Sequence, residues 1–220
     1  MNEQQRTPVN ISHLSKRFGF FFIILLGEIL SSVVHSTQEF GVTDKSIIVS
    51  LYAIIIAFCM WWVYFENDNG PKVIARFISK ESKNKKLPQL AGYMWAYSHL
   101  PLSLGIILVA IGLEKIILTP TEMYGSNPHF FSLVSTSAVI SLLSIGTMQM
   151  SAISKENNLL LEHVKIILPF FSSIAILIFA GGEYDSTVGG FLLTILIICA
   201  SQVLLQEFIE HRLHSHDHVL

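Results

Sequence analysis

The stretch "FFFIILLGEILSSVVHS", Phe20 to Ser36, decides how the rest of the chain is interpreted. It is apolar enough for a membrane-spanning helix, yet it carries a glutamate and a histidine in its interior. If that helix enters the bilayer near Phe18, Glu28 lies about 15 Å deep, close to the midplane, at ~1.5 Å per residue. A glutamate side chain is too short to reach water from that depth, so its carboxyl group requires protonation, a paired group or a wet cavity.

The composition indicates a membrane protein throughout. Of the 220 residues, 51% are hydrophobic and only 14% are charged, which is too apolar for an ordinary soluble domain. No stretch alternates with period two, as the strands of a membrane barrel would. The sequence therefore predicts an all-α integral membrane protein with six transmembrane helices, at about 18–38, 45–65, 93–114, 130–152, 164–181 and 187–207.

The segments between these stretches are too short for a separate soluble domain. We expect a cytoplasmic N-terminal segment (1–17), a six-helix membrane domain (18–207) with a basic cytoplasmic loop (66–92), and a His-rich cytoplasmic tail (208–220). The N-terminal segment carries basic residues before a long apolar run, and no small-residue cleavage site follows it. It is therefore interpreted as an uncleaved signal anchor.

The distribution of Lys and Arg predicts the orientation. Twelve of the fourteen lie in alternate segments, before the first span, after the sixth and in the two loops on that side; only Lys45 and Lys115 lie on the other side. Basic residues near span ends resist translocation, so both termini should be cytoplasmic, in the cell membrane. The residues predicted to anchor the chain at the inner lipid interface are Arg17, Trp61, Trp62 and Tyr64.

A row of polar side chains follows the first span, at Glu28, Ser31, Ser32, His35 and Gln38. Their spacing of three and four residues places them on one helix face, which we expect to point into the bundle. The third span carries His99 and Ser103 in a similar row. The candidates for an ion or proton pathway are therefore Glu28, His35, His99, Ser31 and Ser103. The alternative is structural, with a buried hydrogen bond at Glu28 and neighbouring groups satisfying each histidine.

Other polar rows favour helix packing over a pathway. Serine and small residues commonly allow membrane helices to approach closely. Such residues recur at helical spacing in the third and fourth spans, at Gly105, Gly112, Ser137, Ser141, Ser144 and Ser151.

The C-terminal tail is the one histidine-rich segment. His211, His214, His216 and His218 could bind a transition metal loosely, but a disordered tail is the favoured interpretation. The sequence contains no phosphate-binding glycine loop, zinc-protease motif or plausible catalytic triad. We therefore expect no enzyme activity, no cofactor and no nucleic-acid partner.

Three motifs resemble, in order, the later part of the bacterial low-temperature-requirement A (LtrA) family. They are "HLSKRFGFFFIILLGEIL" (His13 to Leu30), "MWWVYFE" (Met60 to Glu66) and "YSHLPLSLGIILVAIGLEKII" (Tyr97 to Ile117). The resemblance implies a multi-pass inner-membrane protein named for a growth phenotype in the cold, without a settled biochemical activity or cofactor.

The chain departs from the family pattern in two respects. Lys16 stands where family members usually have an acidic residue before the Arg-Phe-Gly, which argues against an acid–arginine pair there. Longer members also carry an earlier block of helices, so this chain resembles their C-terminal portion alone. We expect a homodimer, or a partner chain, to supply the missing half.

Two classes of function are compatible with these features. The first is a transporter or channel in which Glu28 takes up protons or a cation. The second is a non-transporting scaffold, sensor or lipid-interacting protein that supports growth at low temperature, with Glu28 and His99 in a hydrogen bond between helices.

Overall fold

The computed structural model describes residues 11–66, 73, 86–120, 129–151, 159–181, 195, 197–205 and 207, and in these residues the chain is helical without strands. Helix α1 is Ile11–Phe40, α2 is Asp44–Glu66, α3 is Lys86–Leu118, α4 is His129–Ser151 and α5 is Leu159–Gly181. Residues 197–205 form a further helical stretch. The predicted all-helical fold class is confirmed.

Four helices are long and apolar enough to cross a membrane, over Leu14–Phe40, Asp44–Phe65, Leu90–Leu118 and Phe130–Ser151. They coincide with the first four predicted spans. The apolar part of α5 is shorter, at Ile167–Ile178, and the sixth predicted span (187–207) is described only in part. The membrane-protein assignment therefore stands on four spans, whereas the count of six and the orientation stay predictions.

Helices α1 and α3 begin earlier than predicted. The sequence placed their starts at residues 18 and 93, whereas the helices start at Ile11 and Lys86. The prediction counted only the residues needed to cross the hydrocarbon core, and helices continue beyond it with polar residues. The 27-residue apolar span of α1 is about 40 Å long at ~1.5 Å per residue, which exceeds a ~30 Å hydrocarbon core.

Helix α3 occupies the middle of the bundle. It packs most extensively against α4 and also contacts α1 and α2, while α4 in turn packs against α5. Close approach of α3 and α4 depends on two glycines. A Cβ atom at Gly105 would lie 2.9 Å from the carbonyl oxygen of Ser137, and one at Gly112 would lie 2.4 Å from a methyl group of Val134. The predicted packing role of these glycines is supported.

The buried serines of α4 satisfy their hydroxyl groups within their own helix. Ser137 donates to the carbonyl of Leu133 at 2.7 Å, and Ser141 donates to that of Ser137 at 3.0 Å. The hydroxyls of Ser144 and Ser151 likewise donate to backbone carbonyls three or four residues earlier in the helix. Each hydroxyl is small and already hydrogen-bonded, so the row suits a close-packed helix contact.

A tight turn joins α1 to α2. Gly41 adopts a positive φ of 97°, and its N–H donates to the carbonyl of Thr37 at 3.0 Å, which ends α1 in the manner expected of glycine. Thr43 and Ser46 then cap α2 reciprocally: the N–H of Thr43 donates to Ser46 Oγ at 2.8 Å, and the N–H of Ser46 donates to Thr43 Oγ1 at 3.2 Å.

Lys45 joins the start of α2 to the end of α3. Its ammonium group donates to the carbonyl of Ile117 at 3.0 Å and also to that of Thr119, and it lies 5.1 Å from the centroid of the Phe40 ring. Positive charge at a helix C-terminus is favourable because the terminal carbonyls carry partial negative charge. This contact holds the ends of α1, α2 and α3 together on one side of the bundle.

We expect Gly105→Ala to lower the thermal stability of the detergent-solubilised protein. The added methyl group would meet backbone atoms of α4, which cannot move aside without shifting the helix, and overpacking of this kind costs about 1–3 kcal/mol. Gly27→Ala is the matched control, because a Cβ at Gly27 meets nothing within 4 Å. Equal melting temperatures for the two variants would contradict the proposed α3–α4 contact.

Candidate functional site

A hydrogen-bonded histidine lies where α1, α2 and α3 meet. The Nε2 atom of His99 lies 3.0 Å from the hydroxyl of Tyr64, and its Nδ1 atom lies 2.9 Å from the carbonyl oxygen of Trp95. Because a carbonyl only accepts hydrogen bonds, Nδ1 must carry a proton, and in the neutral ring Nε2 accepts from Tyr64. His99 is only 4% exposed, so both ring nitrogens are paired in a dry environment.

Aromatic rings enclose this histidine. The Phe18 ring lies 4.1 Å from that of His99, and Trp95 meets it edge-on at 4.7 Å. On the far side Phe22 stacks on Tyr64 at 3.9 Å. The cluster joins three helices, and its hydrogen bonds favour the structural interpretation of His99.

The predicted interface residues separate into two groups. Arg17 and Trp61 are exposed, as anchors at a lipid interface would be, and Trp62 is half-buried. Tyr64 is buried and bonded to His99, so its hydroxyl serves a contact between helices, and its anchoring role at the lipid interface stays a prediction. Helical position correctly placed it near the end of α2, but the sequence does not show which side of the helix faces α3.

The Glu28 row does not face the other described helices of this chain, although the sequence predicts that it points into the bundle. Glu28, Ser31, His35 and Gln38 are all exposed on the single chain, and only Ser32 is buried. In the part of the chain that the structure describes, the Glu28 carboxylate makes no hydrogen bond or ion pair. We refer to the exposed residues together with Gly27 as the Glu28 face.

The reason lies on the opposite side of α1. Helix α1 packs on α2 and α3 through one stripe of large apolar side chains and serine hydroxyls. Because this stripe faces both helices, the Glu28 face points away from them. These contacting residues are Phe22, Leu25, Leu26, Ile29, Ser32, Val33 and Ser36, all buried. Phe20 and Ile24 on the exposed side are equally apolar, so hydrophobicity did not distinguish the two stripes.

The pathway candidates are therefore not brought together. Glu28, Ser31 and His35 share one face of α1, whereas His99 lies against Phe18 on the other side of that helix. Phe18 precedes Glu28 by ten residues, or about 15 Å along the axis. Ser103 is half-buried and donates to the carbonyl of Leu100 in its own helix at 2.7 Å, so it provides no link between the two groups.

Polar residues follow the Glu28 face in one direction only. From Glu28 the row runs through Ser31 and His35 to Gln38, about 15 Å towards the end of α1 that adjoins Lys45. In the other direction the ten residues from Phe18 to Gly27 are aromatic, aliphatic or glycine. The carboxylate is therefore linked by polar side chains to one end of the span alone.

Three polar features of the structure are not evident from the sequence. Lys45 caps α3, and a lysine at the start of a helix after a tight turn is only a weak signal for such a contact. Gln149 and Gln202 are buried, and neither polar atom of either side chain has a hydrogen-bond partner in the described residues. A glutamine near the end of an apolar helix resembles an interface residue, so the sequence does not predict its burial.

The described residues contain no group of three His, Cys, Asp or Glu side chains that could hold a metal ion. The tail histidines His211, His214, His216 and His218 lie outside the described residues. Cys59 and Cys199 are both buried with free thiols.

We expect Tyr64→Phe to destabilise the protein by about 1–3 kcal/mol, the typical cost of leaving a buried polar group unpaired, because it removes the donor to His99 Nε2. Thermal unfolding in detergent measures the effect. Tyr97→Phe is the control, since Tyr97 is 64% exposed and loses only a hydroxyl accessible to its surroundings. A smaller loss at Tyr64 than at Tyr97 would show that the bond to His99 does not support the fold.

Comparison with known proteins supports the resemblance seen in the three motifs. The chain is 28% identical over 151 residues to an uncharacterized protein of Rhizobium meliloti (strain 1021), a match that covers 69% of this chain and 35% of that protein. The chain thus spans about a third of the length of this relative. No solved structure matches the chain. The family model of the bacterial low temperature requirement A protein (LtrA) matches residues 1–209, and the chain therefore belongs to the LtrA family.

Proposed function

We propose that this protein takes up and releases protons or a cation within the membrane, with Glu28 as the binding group. One observation carries the proposal: a carboxylate lies near the middle of the Leu14–Phe40 span without a partner in the described part of its own chain. Ionisable groups at this depth are costly and commonly mark ion or proton sites. Ser31, His35 and Gln38 extend the site towards one end of α1.

The proposed site differs from the one first expected from the sequence. It lies on the surface of α1 instead of in the bundle core, and it excludes His99, whose ring nitrogens are both paired. The core between α3 and α4 is a poor route for an ion, since the serines there are close-packed and bonded to their own backbone.

The proposal includes the setting of the protein. The Lys and Arg distribution supports a location in the cytoplasmic membrane with both termini in the cytoplasm. The proposed role is transport, with Glu28 as the group that exchanges the ion.

The second candidate is a non-transporting scaffold, sensor or lipid-interacting protein that supports growth in the cold. The hydrogen-bonded cluster of Tyr64 and His99 favours it, because this cluster joins three helices through paired groups only. In this case the Glu28 carboxyl group serves a contact and carries no ion across the membrane.

Proton flux across liposomes separates the two. We expect purified wild-type protein, reconstituted with a pH-sensitive dye inside, to dissipate an imposed proton or cation gradient. Glu28→Gln keeps size and hydrogen bonding but removes the ionisable group, so its flux should fall to that of protein-free vesicles. Glu114→Gln is the matched control, as Glu114 is half-buried near the end of α3, and its flux should remain at the wild-type level.

Two results would contradict the transport proposal. Flux that survives Glu28→Gln would exclude this carboxylate as the binding group. A wild-type protein that is folded and equally incorporated, yet moves no ion under any imposed gradient or potential, would favour the scaffold.

A further inference from the structure

The Glu28 face is the largest unexplained polar feature of the membrane-spanning part. Within a span that must cross hydrocarbon, Glu28, Ser31, His35 and Gln38 are exposed on the single chain. Lipid tails offer no hydrogen-bond partner to the members nearest the midplane, Glu28 and Ser31, and exposing these to hydrocarbon is unfavourable. Another protein surface must therefore cover this side of α1 when the chain is in a bilayer.

Gly27 gives an independent reason to expect a helix against this face. Four other helical glycines, Gly19, Gly105, Gly112 and Gly146, each lie against a neighbouring side chain or backbone. A Cβ at Gly27 would meet no atom of the described residues within 4 Å, although glycine weakens a helix relative to alanine. The missing side chain serves no contact with the described residues of this chain, so it suits a contact with a surface outside them.

Gly27 and Ser31 are one turn apart on the same side of α1. Small residues four apart allow two membrane helices to approach until their backbones are in contact. Glu28 borders this small pair, and at such a crossing its carboxyl group would be shielded from lipid.

A second copy of the chain provides the matching surface. Two copies have the same distribution of basic residues and so insert with the same orientation. Their α1 helices then run parallel about a two-fold axis along the membrane normal, which places Glu28 of both copies at the same depth. The Glu28 face is self-complementary in this arrangement, because hydroxyl, imidazole and carboxamide groups accompany the carboxyl group within about two to three turns of helix.

We propose that two copies of this chain associate within the membrane through their Glu28 faces, with α1 crossing α1 at Gly27 and Ser31. The intramembrane carboxyl site is then formed by both copies and is incomplete in one. The inference rests on exposure, glycine spacing and shared orientation, and it does not depend on whether Glu28 carries protons.

Cysteine cross-linking in membranes tests the contact directly. Cys59 and Cys199, both buried, are first replaced by alanine. Ser31→Cys in this background should form a disulfide-linked dimer on oxidation. Leu30→Cys is the matched control, because Leu30 is also exposed and lies at nearly the same depth, but it points about 100° away around the helix. The control should remain monomeric.

The same experiment identifies a wrong partner. A cross-linked product of twice the chain mass from Ser31→Cys alone supports the proposal. Absence of this product from both Ser31→Cys and Gly27→Cys, or equal cross-linking at Leu30→Cys, would overturn it. A product whose mass requires a different protein would show that another chain covers the Glu28 face, and would also overturn it.

Enlarging Gly27 supplies a second test. A Cβ at Gly27 meets no described residue within 4 Å, but a leucine side chain would separate two helices that cross there, so Gly27→Leu should abolish the Ser31→Cys dimer. Gly27→Ala should retain the dimer, since alanine is also a small residue at such contacts. Undiminished cross-linking in Gly27→Leu would contradict the crossing. A dimer without proton flux would contradict the proposed function but not this interface. Proton flux from a monomer would contradict the interface but not the proposed function.

Discussion

The hydrocarbon interior of a bilayer offers no hydrogen-bond partners, and this constraint sorts the polar side chains of the protein into three kinds. The serines of α4 bond to their own helix, as Ser137 and Ser141 do. Tyr64 and His99 bond to each other across two helices. The described part of the chain leaves Glu28 in neither arrangement, so the contacts that hold the described helices together do not satisfy its carboxyl group.

The sequence predicted what depends on length and spacing. Apolar length identified the first four spans, because a helix must contain enough apolar residues to cross the bilayer. Gly105 and Gly112 predicted close helix packing, since glycine weakens a helix and needs such a reason, and the structure places α4 against both. These features are local, and hydropathy or glycine spacing reports them directly.

Helix rotation about its own axis could not be predicted in the same way. In a soluble protein the polar side of a helix faces water, which reveals its rotation. Helix α1 has large apolar residues on both sides, so its polar row was the only guide, and that row was expected to face the bundle. The side chain of Phe22 is 1% exposed and that of Phe20 is 66% exposed, yet the two residues are chemically identical. Only the neighbouring helices decide which of them is covered, and the rotation of α1 decides the location of Glu28.

The polar side chains of the Glu28 face extend from Glu28 towards only one end of α1, and this asymmetry affects both proposed functions. A group that transports an ion must exchange with water on each side of the membrane in turn. Side chains from Ser31 to Gln38 offer hydrogen bonds towards one end of α1, while ten residues without a polar side chain, Phe18 to Gly27, separate Glu28 from Arg17 at the other. A second α1 helix in parallel brings the same asymmetry and cannot supply the missing half of the route. Transport therefore requires polar groups from another helix or a movement of α1, whereas a sensor that exchanges protons with one compartment requires neither.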